Sequence, residues 1–284
     1  MASPSPPGLG ASDLYLKRTV QDLFSLKGRV TVITGGARGI GLAMAVACAE
    51  VGSDIAAIDL LETPHDHFKK LENDYGVKVK LYRSDVTKYD VLEATFKQIV
   101  KDFGRIDGLI TAAGVCPDQP FIERPAASVE RTLQINTLGT YFPAQLVTKQ
   151  IISQDTGKEE PRGGSMIFIA STAARMASKG QYTSDYCASK GAVTALATQL
   201  SCELAEKKIR VNTISPGYTA TDMTLSISET RPGLMEIFLS EPPMKRMADR
   251  VDLKGAAVYL LSDASAYMTG SDMLIDGGFH SGRT

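Results

Sequence analysis

Tyr186 and Lys190 stand four residues apart in the run YCASK, a spacing that puts both side chains on one helix face. A free phenol has a pKa of about 10 and is a poor base at neutral pH. An ammonium about 4 Å away, at an effective dielectric of about 20, favours the phenolate by about 4 kcal/mol, or about three pH units. The pair is therefore a candidate general acid–base, and Lys190 has a second use in holding a ribose. Ser171 closes the segment before that helix. Its hydroxyl is expected to face the same cleft and bind a substrate carbonyl or hydroxyl oxygen. Asn136, in an earlier helix, is expected to hold a water that links Lys190 to solvent. Tyr182 is also four residues from a tyrosine, but only Tyr186 has lysine at plus four.

A second cluster suits a dinucleotide. Thr34 is followed by Gly35-Gly36-Ala37-Arg38-Gly39-Ile40-Gly41, at the end of a β-branched run and the start of a small-residue helix. Gly35 turns sharply, Gly39 lets the backbone approach a phosphate, and Gly41 allows close helix–strand packing. The free N–H groups from Gly39 through Ile40 to Gly41 suit a pyrophosphate. Asp59 ends the second strand, where a carboxylate accepts from ribose hydroxyls and repels a 2′-phosphate by about 4 kcal/mol at about 4 Å. That favours NAD, while Arg38, which can pair with a 2′-phosphate, keeps NADP open. Asp85 and Val86, ending the third strand, fit an adenine amino group and ring face.

The elements that must position these groups follow from periodicity. Strands are predicted at 29–34, 54–59, 78–86, 105–111, 164–171, 209–215 and 272–276, with helices between them, including 88–103, 126–153, 184–206 and 249–262. Strands alternating with helices imply right-handed βαβ units, hence a parallel sheet covered on both faces. Residues 1–12 read as a tail, and 13–26 as an amphipathic segment with Leu16, Val20, Leu23 and Phe24, packing on the body or on a sister subunit. Residues 218–247 are too long for a simple connection and read as a substrate lid. Lid residues Met223, Leu225, Ile227, Leu234, Met235, Ile237, Phe238 and Leu239 suit either an inward-packed helix or a hydrophobic substrate.

With 31 Lys plus Arg against 32 Asp plus Glu, no global field draws the chain to nucleic acid or an anionic membrane. No apolar run is long enough to span a bilayer, and the Pro-rich start is unlike a signal peptide. Cys48, Cys116, Cys187 and Cys202 form no CxxC pair and read as reduced, mostly packed thiols, Cys187 as core, so a cytoplasmic protein is expected. His65 and His67 are two apart, expected on different helix faces, and no metal is expected there.

Together, Thr34–Gly41, Asp59, Asn136, Ser171 and Tyr186 with Lys190 resemble the short-chain dehydrogenase/reductase family over residues 27–279. The resemblance implies a single-domain doubly wound Rossmann fold with a seven-stranded parallel sheet and helices on both faces. It implies an NAD(P)-dependent oxidoreductase that transfers hydride at nicotinamide C4. It also implies an Asn136–Ser171–Tyr186–Lys190 tetrad and a small-molecule alcohol or ketone as substrate. Pro216 and Gly217 match the nicotinamide-side turn. Thr219 stands there in place of a commonly aliphatic residue, and Thr221 is implied to contact the carboxamide or a phosphate. Many members are homotetramers built through the long helix and the C-terminal helix and strand. The fourth strand departs from the pattern: Thr111-Ala112-Ala113-Gly114 replaces Asn-Asn-Ala-Gly, with Ala113 and Gly114 still suited to close cofactor approach. Ser171 and Tyr186 are 15 apart, wider than usual, so the segment between them is expected to bulge and shape the pocket through Met176, Gln181 or Tyr182. The leader and tail are similar to fungal sugar-alcohol dehydrogenases and ketose reductases. Two further classes share the fold: members with non-redox chemistry (dehydration, isomerisation or cyclisation) and proteins that bind the dinucleotide without turnover. The intact tetrad argues against the first of these.

Overall fold

The computed structural model describes residues 13–225, 231 and 233–282. The Pro-rich tail and Ile227 lie outside the described residues. Short helices α1 (Leu14–Lys17) and α2 (Val20–Phe24) lead in. Thr19 and Asp22 cap α2 reciprocally, each side chain accepting from the other's amide. Only the C-terminal part of this amphipathic segment packs on the body. Phe24 rests on Tyr259 and Leu26 is buried, while Leu16 and Val20 stay exposed.

The body then alternates: β1 (Val30–Thr34), α3 (Gly39–Glu50), β2 (Asp54–Asp59), α4 (Asp66–Tyr75), β3 (Val79–Arg83), α5 (Tyr89–Phe103) and β4 (Gly108–Thr111). It continues with α6 (Ala126–Leu133), α7 (Gly139–Asp155), β5 (Gly164–Ile169), α8 (Ser184–Glu203), β6 (Ile209–Pro216), α9 (Gly233–Ser240), α10 (Lys254–Leu261) and β7 (Asp272–Ile275). The seven strands pair in parallel in the order β3-β2-β1-β4-β5-β6-β7. Central strands such as VTVIT and GSMIFI are apolar or β-branched along most of their length because helices bury both faces. One core lies under α5, α7 and α8, the other under α3, α4 and α10. The strand order reverses between β1 and β4, so the ligand crevice lies at the carboxyl ends of these strands.

Local polar chemistry moved several predicted boundaries. β4 begins at Gly108, not Arg105, because Asp107 is used for bridging. Its carboxylate accepts from the Val30 amide (2.9 Å) and takes both Nε and Nη2 of Arg105. β3 ends at Arg83 because the chain turns just beyond it, Asp85 accepting from the Thr87 amide and hydroxyl. The helical stretch predicted over 126–153 is broken by a π-turn, Gln134–Leu138, between α6 and α7. The helix predicted at 249–262 is a 3₁₀ turn, Arg250–Leu253, followed by α10.

Candidate active site

The glycine turn sits where β1 passes into α3. Gly35 has φ +67°, and a Cβ there would meet the Ala113 amide nitrogen at 2.7 Å, so glycine is required for β1 and β4 to approach. A Cβ on Gly41 would lie 2.1 Å from the Gly35 carbonyl, the close packing expected of that position. Gly39 has φ +60° and open space around it, and no side chain among the described residues caps α3 at Arg38. The first helical amides after Arg38, those of Gly39, Ile40 and Gly41, therefore stand without side-chain acceptors, which fits a pyrophosphate. Asp59 braces this turn: its carboxylate accepts from the Ala37 and Leu61 amides, each at 3.1 Å. Arg38 is exposed beside it with no side-chain partner among the described residues. Val86 packs against Gly139 and is buried, while the Asp85 carboxylate is occupied by Thr87.

The candidate catalytic groups converge at the carboxyl ends of β4 and β5. Ser171 caps a 3₁₀ turn, Thr172–Ala174, its hydroxyl accepting from the Ala173 amide at 3.1 Å, and it lies close enough to Tyr186 to favour the phenolate. Lys190 is buried one turn along α8; its ammonium donates to the Ile169 carbonyl at 2.6 Å and lies 5.7 Å from the Tyr186 ring centre. Gly114 completes the group, since a Cβ there would meet Asn136 Oδ1 at 3.3 Å and Lys190 Nζ at 3.8 Å. Asn136, Ser171, Tyr186 and Lys190 thus share one cleft with Ala113 and Gly114.

Three expectations are corrected by this geometry. Tyr186 is not acidified here. Burial pushes its phenol above the ordinary range and the nearby Cys116 adds to this, while the neighbouring Ser171 hydroxyl opposes them. Lys190 is itself desolvated, which lowers its pKa from the ordinary 10.5 to about 8. The Asn136 side chain is engaged by the backbone and by Ser189. Oδ1 accepts from the Val115 amide, and Nδ2 donates to the Val115 carbonyl and to Ser189 Oγ, all at 2.9 Å, so the side chain braces the exit of β4. Cys187 does not sit in the core: with Cys116 it lies close enough to Tyr186 for a negative charge on either sulfur to raise the phenol's pKa. The histidine argument also changes: His65 precedes α4 as its N-cap, and its ring meets His67 edge-on at 4.6 Å.

Sequence reasoning missed a polar frame around the cleft. Arg124 and Asp185 form an almost fully buried ion pair at 2.5 Å. Arg124 also donates to the carbonyls of Pro117, Gln119 and Tyr182, and Asp185 accepts from Thr132 Oγ1 and from the Tyr186 amide. Asp118 accepts from the Tyr182 amide and pairs with Arg231 at 2.7 Å. These links hold the bulged segment before Tyr186 against the loop after β4. A charged residue in each of two distant polar stretches was the only available signal.

On the nicotinamide side, a Cβ on Gly217 would meet Asp276 Cα at 2.8 Å, so Pro216-Gly217 runs tightly along the end of β7. Thr219 is buried, its hydroxyl donating to the Gly217 carbonyl. Thr221 caps the turn that follows through the Thr224 amide. The apolar residues of the 218–247 segment divide: Leu234 and Phe238 pack inward, Phe238 against Tyr218 at 4.4 Å, while Met223, Leu225 and Leu239 are exposed.

A family model described as enoyl-(acyl carrier protein) reductase matches residues 35–280. An NADP-dependent mannitol dehydrogenase of Hypocrea jecorina is 37% identical over 91% of this chain and 94% of its own length. An NADH-dependent L-xylulose reductase of Ambrosiozyma monospora is 31% identical over 91% and 97%. The crystal structure of an NADPH-dependent 3-quinuclidinone reductase from Rhodotorula rubra superposes with a TM-score of 0.84 at 33% identity, covering 99% of this chain and 98% of that one. The chain belongs to the short-chain dehydrogenase/reductase family, is related to fungal sugar-alcohol dehydrogenases, and is an NAD(P)-dependent oxidoreductase.

Proposed function

We propose that the enzyme interconverts a secondary alcohol and a ketone of the polyol/ketose class, with Tyr186 as the general acid–base. The observation that carries this is the convergence of Ser171 and Tyr186 beside the buried Lys190, whose ammonium donates to the Ile169 carbonyl and lies 5.7 Å from the Tyr186 ring centre. When bound, the dinucleotide supplies or accepts the hydride at its nicotinamide C4. In the reducing direction the substrate oxygen accepts from both hydroxyls. Ser171 holds it while Tyr186 gives up its proton as negative charge builds on that oxygen. Lys190 holds a ribose hydroxyl and favours the phenolate left behind. Asn136 keeps the Val115 backbone in place beneath the cleft. Gly35, Arg38, Gly39, Ile40 and Gly41 hold the pyrophosphate end, Asp85 and Val86 border the adenine, and Ala113, Gly114, Pro216, Gly217, Thr219 and Thr221 border the nicotinamide.

Cofactor choice rests on two opposed groups. The braced carboxylate of Asp59 disfavours a 2′-phosphate and favours NAD, whereas the unpartnered Arg38 favours NADP, as used by the Hypocrea relative. Residues 218–247 form the substrate lid. Its exposed Met223, Leu225 and Leu239 support a second reading, an apolar secondary-metabolite ketone. The enzyme is a homotetramer assembled through α8 and through α10 with β7, and acts in the cytoplasm. No helix among the described residues is long and apolar enough to cross a membrane. Reduced-nicotinamide absorbance against a panel of polyols, ketoses and apolar ketones tests the substrate class. Tyr186→Phe should lower kcat at least about a hundredfold with the dinucleotide Kd unchanged. A variant with the wild-type rate would refute the acid–base role.

A further inference from the structure

The end of the sheet opposite the candidate active site holds a cavity of about 580 Å³, within the size range of small-ligand sites. It is built at the amino ends of the strands. Arg29 precedes β1, Asp107 precedes β4, Arg162 precedes β5, Lys208 and Arg210 open β6, and Asp263 precedes β7. Both carboxylates are already matched. Asp263 pairs with Arg29 and with Arg18 from the lead-in segment, and Asp107 takes the bidentate Arg105. Arg162 reaches Asp107 only at 3.7 Å and donates to the Gly28 carbonyl. Arg210 donates only to neutral oxygens, those of Ser262, Ser265 and Met268. The Lys208 ammonium has no partner among the described residues.

Four cations (Arg29, Arg162, Lys208, Arg210) therefore line the cavity with two carboxylates, a formal excess of two in a chain whose net charge is −1. Capping backbone carbonyls explains where individual guanidiniums dock. It does not explain the concentration of charge, because neutral donors would cap as well without mutual repulsion. Burial, and after it the neighbouring charge of Arg29, lowers the Arg210 pKa to about 10. The floor is rigid, since the Gly164 amide donates to the Lys208 carbonyl and Gly163 leaves no room for a Cβ against that same carbonyl. The rim carries the fully exposed ring of Tyr267.

We propose that this cavity is a second binding site, distinct from the dinucleotide crevice, for a small molecule bearing two or more phosphate groups, with Arg162, Lys208 and Arg210 as its anchors. Such a ligand neutralises the excess with fork-shaped donors suited to phosphate oxygens. The test titrates inorganic tripolyphosphate by calorimetry into the full chain saturated with its dinucleotide, so that the glycine turn is filled. One site per chain is expected, weakening steeply between low and moderate salt. Arg162→Gln with Lys208→Gln should lower the affinity at least about tenfold, as losing two charge-assisted contacts implies. Lys208→Gln alone, which removes no hydrogen bond and cannot unsettle the fold, should lower it measurably. Arg38→Gln at the glycine turn should leave it unchanged. ATP in place of tripolyphosphate distinguishes a nucleotide from a bare polyphosphate, and binding of either supports the site. Three results overturn it: no binding, binding indifferent to both cavity variants (an adventitious ion only), or binding lost in Arg38→Gln.

Discussion

Lys190 carries a stability penalty whose size and pH window follow from its burial. Its ammonium is desolvated, with the Ile169 carbonyl as hydrogen-bond acceptor, and its pKa falls from the ordinary 10.5 to about 8. At about 1.4 kcal/mol per pH unit, that gap costs the folded state about 3 kcal/mol at neutral pH. The sign follows from proton counting. Between pH 8 and 10.5 the unfolded chain holds the proton and the folded chain does not, so raising the pH stabilises the fold. Above the unfolded value the penalty is gone, and it is complete once the pH has fallen below the folded value. Lys190→Met removes the titration. It also deprives the Ile169 carbonyl of its donor, at a pH-independent cost of about 1–3 kcal/mol, so the absolute difference at one pH decides nothing. The discriminating quantity is the slope. Urea unfolding of both proteins without dinucleotide, from pH 7 to 10, should show wild type gaining about 2–3 kcal/mol on the variant. Other titrating groups are common to both and cancel. Parallel curves would show that Lys190 is not held in a desolvated state, and the account of the site's electrostatics would fail with it.

Other outcomes follow from the same geometry. Arg124→Ala leaves Asp185 buried and unpaired, and should destabilise by about 3–5 kcal/mol in the urea midpoint while raising KM more than it lowers kcat. Asp59→Ala removes the charge facing a 2′-phosphate and should shift the NADP/NAD ratio of kcat/KM at least about tenfold toward NADP. An unchanged ratio would assign selectivity to Arg38 or to groups beyond this turn. Thr111 Oγ1 is buried with no hydrogen-bond partner among the described residues, so Thr111→Val should be neutral or stabilising by about 1 kcal/mol in thermal unfolding.

Much of the fold was legible because it rests on local signals. The β2 boundaries followed from DIAAID alone, and the glycine turn announced the switch between β1 and α3. The predicted elements that failed did so where a side chain over-rode periodicity, as Asp107 does by bridging to β1 across 77 residues of sequence. Members of the candidate site were legible by type and spacing, but what each one touches was not. Asn136 reads as a water-holder until the π-turn aims its amide at Val115. Arg124 and Asp185, 61 residues apart, carry no mark in sequence of being partners. The Ala113 amide donates to the Thr34 hydroxyl at 3.4 Å, a contact that only the strand pairing could show.

The sequence argument that Lys190 acidifies Tyr186 treated the ammonium as a fixed charge. The fold makes it a variable one. Burial disfavours the phenolate and the ammonium separately, so each group tends to neutrality when the other is neutral. The charged forms become favourable only together, because their attraction in a poorly screened interior offsets both desolvation costs at once. A proton moving from Tyr186 to a substrate oxygen creates the charge that holds Lys190 protonated, and return of that proton releases it. On this view the catalytic use of burial is that it leaves the phenol neutral and able to donate until the step that needs the phenolate. A pH–rate profile for Lys190→Arg should then lose its limb near pH 8, since a guanidinium keeps its charge throughout that range. Retention of the limb would assign it to a different group.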